Sequence, residues 1–562
     1  MRGWAKLLGL LVSAAALLLI AMLSLSAGAS DPEFVQDTFV EFRQGTPDRV
    51  DIWSEPGLVK LDRHWWLDGM VNDPLSVSPL TFLPNDREYP RLSFAFTTTG
   101  GVTQTVFFAV WHDERNGDTN PDIFFDRSLD NGHTWTTDIT VTDAAGFQTH
   151  PDVTFLKTEK AVCVVWKDGS HNLGFAKSYD AGNTWTVSTI YTSSRQVFNP
   201  RIAPHGQSGY LYLVWGEATA DGYPGRLYIS RSGDGGATWS DPITLSVTAL
   251  QRATPPSAAS LAVDASGNVY VVWKDTNPSD SIYFTKWISG SEWSEAGWSS
   301  PVLLREGILS PPAITIGPNH AIYVAWIERI NGDYAVVVAS TLDQGVTWVS
   351  VQAAVPVSAN DLSAPDIGAD SLGRVYVVWY ESGDGNIYLT SSSDGGASWL
   401  PKRRVNSAGG KPAAYVAPAI QAAFTGEVVV AWHDYRHESP GVGSQIYATG
   451  YPSDRYFSWG EYLSPVFDAG SLAAWDTITW TATVSPGTGL RIATRVMTEP
   501  GASWTDWYTY TSSGESIPHP SGRFIQYRAV FTTSVVTQTP VLDEVVISYR
   551  QYRIFLPLVL KQ

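Results

Sequence analysis

A chain of 562 residues is too long for one ordinary compact domain unless that domain is built from repeats. Its formal charge of −18 and isoelectric point near 4.9 exclude a nucleic-acid partner, which would need a basic face. With a single cysteine there is no disulfide framework, and the place of Cys163 in the apolar run AVCVVW makes it a core residue.

The chain opens as a secretory signal does, over residues 1–29. Arg2 and Lys6 are basic, Leu7 to Leu25 is apolar, and Ala27-Gly28-Ala29 fits a small-x-small cleavage site. The length of the apolar run leaves an uncleaved membrane anchor as the alternative. Membrane contact is expected only through this segment, and the location is expected to be secreted or cell-surface.

Residues 30–85 are punctuated by Pro and Asp, with strand-like runs at Thr38–Phe42 and Gly57–Leu61. They lack the features of the repeat that follows. Residues 34–62 are expected to cross to the C-terminal domain, packing on it or adding a strand, because an unpaired edge strand is a liability. Val77–Leu83 lies where every later unit has its fourth strand, and is expected to close the last unit.

Residues 86–455 repeat with a period of roughly 50–60 residues, a propeller-blade length. Each unit opens on a proline: Pro90, Pro151, Pro200, Pro255 or Pro256, Pro312, Pro365 and Pro418. A second strand ends in tryptophan at Trp111, Trp166, Trp215, Trp273, Trp326, Trp379 and Trp432. These strands are apolar on both faces, as strands sandwiched between blades must be. Seven such motifs predict an all-β chain with a seven-bladed β-propeller, six blades being the runner-up.

Between third and fourth strands stands the pattern Ser/Thr-x-Asp-x-Gly-x-Thr/Ser-Trp. Its copies place Asp130 with Trp135, Asp180 with Trp185, Asp234 with Trp239, Asp343 with Trp348, and Asp394 with Trp399. A worn copy ends at Trp459 and another at Trp293. The Asp can accept hydrogen bonds from turn N–H groups, the Gly supplies positive φ, and the Trp covers the turn. This pattern resembles the Asp box, or BNR repeat, of the sialidase-like β-propeller superfamily. The resemblance implies an architecture rather than an activity, since in that superfamily the boxes lie away from the active site.

Residues 456–550 break the period. Alternating runs at Thr477–Thr483, Leu490–Met497, Arg523–Phe531 and Val541–Tyr549 predict a β-sandwich. Its Trp475, Trp480, Trp504, Trp507, Tyr508 and Tyr510 read first as core and turn packing, second as a sugar-stacking platform. The apolar tail 551–562 resembles the sorting tails of secreted bacterial proteins.

Chemistry is expected on the face opposite the box turns. A carboxylate stands two residues after every second-strand Trp: Asp113, Asp168, Glu217, Asp275, Glu328, Glu381 and Asp434. A catalytic group is needed once, so a group present in every unit reads as structural. No metal or other cofactor is expected, because EF-hand-like spacing is absent. The position after the opening proline varies instead, with Arg91, Asp152, Arg201, Ser260, Ala313, Asp366 and Ala419. Variation inside a repeated frame marks a grafted site, so Arg91, Asp152, Arg201 and Asp366 are the candidate binding residues. The bland alternative is that they neutralise one another.

The resemblance to sialidases implies a Tyr nucleophile with its Glu, an Asp acid and three Arg on the substrate carboxylate. Arg91, Asp152, Arg201, Tyr380 and Glu381 are the candidates, with Arg252 and Arg305 for the third arginine. The family's Arg-Ile-Pro motif is absent; this chain has Tyr89-Pro90-Arg91 there. The leading expectation is therefore a protein that binds glycans or a cell-surface partner. An exo-α-sialidase and a non-catalytic structural surface protein are the alternatives.

Overall fold

The computed structural model describes residues 33–36, 39–42, 44–51, 58–61, 69–70, 87–99, 102–115, 119–218, 224–245, 259–275, 279–352, 361–407, 410–413, 417–424, 426–436, 444–452, 456–535 and 537–551. The signal segment, residues 552–562 of the tail and Val77–Leu83 lie outside them. Among the described residues no helix is long and apolar enough to cross a membrane. Two compact units are present: residues 64–454, and residues 1–63 together with 455–562.

The first unit is a seven-bladed β-propeller, made of seven four-stranded antiparallel sheets. Blade 1 consists of Arg87–Thr99, Val102–Asp113, Asp122–Ser128 and Ile139–Thr142. Blades 2 to 6 span residues 148–192, 197–244, 260–306, 313–352 and 366–404. Blade 7 takes Ala419–Ala422, Val428–Asp434 and Gln445–Tyr451 from one end of the repeat and Gly69–Met70 from upstream. Met70 pairs with Tyr447 and Gly69 with Ala448, so the ring is closed by a strand from before the first blade. The closing strand is shorter and further upstream than the one expected from spacing.

Why the blades stack is plain from the second strands. Trp111, Trp166, Trp215, Trp273, Trp326, Trp379 and Trp432 are at most 2% exposed, each among apolar residues of its own and a neighbouring blade. Cys163 is buried in the same way, and burial pushes its thiol up to about 12.

The repeat turns share one hydrogen-bond pattern. In the second copy, Ser178 Oγ donates to Asp180 Oδ1 at 2.8 Å and accepts from Gly182 N–H at 2.8 Å. Asp180 also accepts from Thr184 N–H at 2.9 Å and Thr184 Oγ1 at 2.7 Å. The copies at Asp130, Asp234, Asp343 and Asp394 repeat it. Gly182 has φ +95°, and a Cβ there would sit 2.1 Å from the Phe125 ring of the preceding blade. The worn copy at Trp459 is not a propeller turn. Trp459–Leu463 pairs with Gly522–Thr533 in the second unit, while Trp293 packs on Trp287 and Trp298 at the end of blade 4.

In the second unit, eleven described strands form one connected antiparallel network. Phe467–Thr483 bends across it, pairing first with Gly522–Thr533 and then with Val541–Gln551. The N-terminal residues belong to this network. Glu33–Gln36 and Val59–Leu61 pair with Val541–Gln551, and Thr46–Asp48 pairs with Trp459–Leu463. Gln36 is the buried tie: its amide donates to Tyr462 Oη at 2.7 Å and accepts from Tyr527 Oη at 2.5 Å. The run read as a strand at Thr38–Phe42 is instead a helical turn, Phe39–Phe42. Its carbonyls are spent there: Gln36 Nε2 donates to Glu41 O and Tyr462 Oη to Phe42 O.

Candidate functional site

The first strands of blades 1, 2 and 3 are longer than those of blades 4 to 7, and each carries a bulge at its proline. Register shifts between Glu88 and Arg91, between Thr149 and Asp152, and between Phe198 and Arg201. An X-Pro step explains this, because proline offers no N–H to the ladder. His150 and Asn199, the residues before Pro151 and Pro200, take positive φ of 54° and 44°. A bulge re-aims the side chain that follows it, here Arg91, Asp152 and Arg201.

All three line one cavity of about 660 Å³ within the propeller, together with Asp366 of blade 6 and Ser260 of blade 4. The wall is built from first strands of every blade, His150 among them, and from the blade-to-blade connections at Leu309, Leu362 and Ala417. Box turns join third strands to fourth strands, at the opposite end, so the cavity belongs to the face away from them.

Its charged residues have two different jobs. Asp152 Oδ2 accepts from Ile202 N–H of blade 3 at 2.9 Å. Asp366 Oδ2 accepts from Ile420 N–H of blade 7 at 2.9 Å. Ser260 Oγ accepts from Ile314 N–H of blade 5 at 3.2 Å. These residues tie the first strand of one blade to that of the next. Burial raises the pKa of both carboxyl groups, against the pull of Arg201 and Arg91 on Asp152 and chiefly of Arg91 on Asp366.

Arg91 and Arg201 are not used in that way. Arg201 Nη1 donates to Pro200 O at 3.1 Å, and the buried Arg91 Nε has no hydrogen-bond partner among the described residues. Among the described residues neither guanidinium lies within 4 Å of a carboxylate oxygen, so the expected mutual neutralisation is not made by direct ion pairs. Burial, then repulsion from Arg91, lowers Arg201 to about 10, with Asp152 and Asp366 opposing.

His150 lines the same cavity from the position before its proline, where the repeated frame gives no signal. Burial, reinforced by His112, Lys167, Arg201 and Arg91, lowers it to about 3, so it is neutral in the free protein. Its ring centroid is 6.3 Å from that of His112. Among the described residues no group of three His, Cys, Asp or Glu is placed to hold a metal ion.

Tyr380 and Glu381 stand elsewhere. Tyr380 packs with Ile387 and Leu389 in a blade core, and Glu381 accepts from Lys402. Arg305 is bound through Nε and Nη2 to Glu328, each at 2.7 Å. Arg252 lies outside the described residues. A tyrosine–glutamate hydrogen bond does occur, Tyr191 Oη to Glu217 Oε1 at 2.5 Å, but Tyr191 is on the outer fourth strand of blade 2.

Three of the carboxylates after the second-strand tryptophans anchor the indole two residues before them. Asp113, Glu328 and Asp434 accept from the indoles of Trp111, Trp326 and Trp432 at 3.2, 2.8 and 2.9 Å. Arg115 and Arg436 each donate to the carboxylate two residues before them. In the second unit four of the six aromatic residues are occupied too, while Tyr508 is exposed. Trp475 and Tyr510 are buried, Arg495 stacks on Trp504 and Trp507 at 4.5 and 4.7 Å, and Arg528 lies over Trp507 at 4.8 Å.

No family model matches this chain, and no curated protein does. Solved structures similar to it include a protein of unknown function from Dyadobacter fermentans DSM 18053, with 15% identity, a TM-score of 0.41, and coverage of 70% of this chain and 99% of that one. An ulvan lyase bound to -[GlcA(1-4)Rha3S]- has 12% identity and a TM-score of 0.44, over 69% of this chain and 95% of its own. A Hadza microbial sialidase has 12% identity and a TM-score of 0.35, over 73% and 95%. At this level the architecture rests on the sheets described above.

Proposed function

We propose that this chain is a secreted or cell-surface propeller of the Asp-box, or BNR, kind that binds an acidic glycan in its axial cavity. The observation that carries this reading is the pair Arg91 and Arg201 in one cavity, neither ion-paired to a carboxylate among the described residues. A guanidinium presents forked donors that fit a carboxylate or sulfate bidentately. Asp152 and Asp366 are already engaged by backbone N–H groups, which leaves the arginines for a ligand. The volume of about 660 Å³ falls within the range of about 300–1,000 Å³ usual for small-ligand sites. Ser93, Thr154, Asn199, Thr315 and Gln421 add neutral groups suited to sugar hydroxyls. The repeat turns support the superfamily assignment, and residues 1–29 support export.

Binding is favoured over sialidase-type hydrolysis. That chemistry requires a tyrosine nucleophile with its glutamate beside the arginines, and the described lining residues include neither a tyrosine nor a glutamate. The test is a panel of acidic and neutral oligosaccharides offered to the secreted chain. Retention of uronate-, sialate- or sulfate-bearing members, lost in Arg201→Ala, supports the reading. Indifference to ligand charge refutes it, and turnover of a sialoside replaces it with the hydrolase.

A further inference from the structure

We propose that His150 is a third anion-contacting residue of the axial cavity, and that it becomes cationic only when the ligand arrives, so that ligand and proton bind together. The inference rests on the anion-binding reading of the cavity and adds to it a coupling that two permanently charged arginines do not supply.

Geometry comes first. His150 occupies the bulge of blade 2, between the bulged strands that carry Arg91 and Arg201, and lines the same cavity. Its positive φ of 54° is a strained conformation for a residue with a Cβ, held by the Pro151 bulge. A purely structural position there would favour asparagine, as at Asn199 one blade on, where φ is 44°.

Electrostatics supplies the coupling. The charged and titratable groups acting on His150 are Arg91 on the first strand of blade 1, His112 on its second, Lys167 on the second strand of blade 2, and Arg201 on the first strand of blade 3. Asp152 follows it on its own strand, with one carboxylate oxygen held by Ile202 N–H. His112 itself is kept neutral by burial, partly offset by Asp113. Each of these four groups on other strands is cationic or able to become so. An anion placed among them cancels the field that opposes protonation, and the imidazolium that results donates to the ligand. Reciprocity then requires that protons tighten ligand binding as the ligand tightens proton binding.

The test is titration calorimetry of the full chain with D-glucuronate, between pH 7 and pH 5, in buffers of different ionisation enthalpy. The expected result is proton uptake that approaches one per ligand at the acid end, with affinity rising by up to about tenfold per pH unit. His150→Asn, which tolerates the positive φ, should bind with no uptake and with pH-independent affinity, while His112→Asn should keep the uptake. Binding without proton uptake in the wild-type chain, or uptake that survives in His150→Asn, overturns the inference and leaves the anion site standing. Absence of glucuronate binding overturns both.

Discussion

Trp185 stands edge-on to Phe125, with ring centroids 5.2 Å apart and planes at 72°. Trp185 closes the repeat turn of blade 2, and Phe125 belongs to the third strand of blade 1. Trp239 meets Phe175, and Trp348 meets Phe284, in the same way at 6.0 and 5.1 Å. The turn motif is therefore a fastener between successive blades. That explains why it recurs.

Replacing Phe125 with alanine should be among the most damaging single changes. Its ring is fully buried, and a Phe-to-Ala cavity costs about 3–5 kcal/mol. Gly182→Ala should also destabilise, since the new methyl group meets that ring at positive φ. Denaturant midpoints of the two variants check this; an unchanged midpoint for either contradicts the fastener.

The turn aspartates make the fold acid-sensitive at the low end. Hydrogen bonds from the Thr184 backbone and hydroxyl hold Asp180 at about 2, and those from Thr238 do the same for Asp234. A carboxyl group lowered in the folded state contributes stability above its unfolded value near 4, and loses it as pH falls through about 2. Asp180→Ala should lower the thermal midpoint at pH 7 and flatten its decline between pH 4 and pH 2. Ligand affinity should not move.

A second acid window lies higher. His433 is 2% exposed, its ring nitrogens have no hydrogen-bond partner among the described residues, and burial lowers it to about 3; His112 is lowered to about 4 by the same cause. The unfolded chain takes protons on these groups below about 6.5 while the folded chain does not, so stability falls as pH drops from there toward 3. His433→Phe should reduce that slope by up to about 1.4 kcal/mol per pH unit. A slope unchanged in the variant would show that His433 protonates without cost in the fold.

Asp366 separates structural from ligand-contacting roles in the cavity. Asp366→Ala leaves Ile420 N–H without its acceptor and should cost about 1–3 kcal/mol. Asp366→Asn keeps an acceptor and should fold normally, yet bind an anionic ligand at least as tightly, because a negative charge near Arg91 is gone. Weaker anion binding in Asp366→Asn would assign the carboxylate to the ligand instead.

How much of this was legible follows from what each residue type can hide. The blade count was legible because every second strand ends in a tryptophan that only a fully buried position explains. Arg91, Asp152, Arg201 and Asp366 were legible as deviations inside a repeated frame, and they do line one cavity. Their division of labour was not, because Asp152 and Asp366 spend their oxygens on N–H groups some 50 residues away. His150 was hidden because its orientation comes from a bulge, which proline permits without announcing. The closing strand was misplaced for a related reason: Gly69–Met70 is too short to show a period. The strand at Glu33–Gln36 was masked by the more apolar run beside it, which forms a helical turn.

The most direct test of the central claim compares one acidic oligosaccharide with its carboxyl-reduced counterpart, by calorimetry, on the wild-type chain, Arg91→Gln and Arg201→Gln. Hydrogen bonds to a charged group contribute about 1.5–3 kcal/mol. Each variant should therefore lose about ten- to a hundredfold in affinity for the acidic sugar, and the wild-type chain should bind the reduced sugar as weakly as the variants bind the acidic one. Equal wild-type affinity for the two sugars, or full affinity in both variants, would contradict an anion clamp at Arg91 and Arg201.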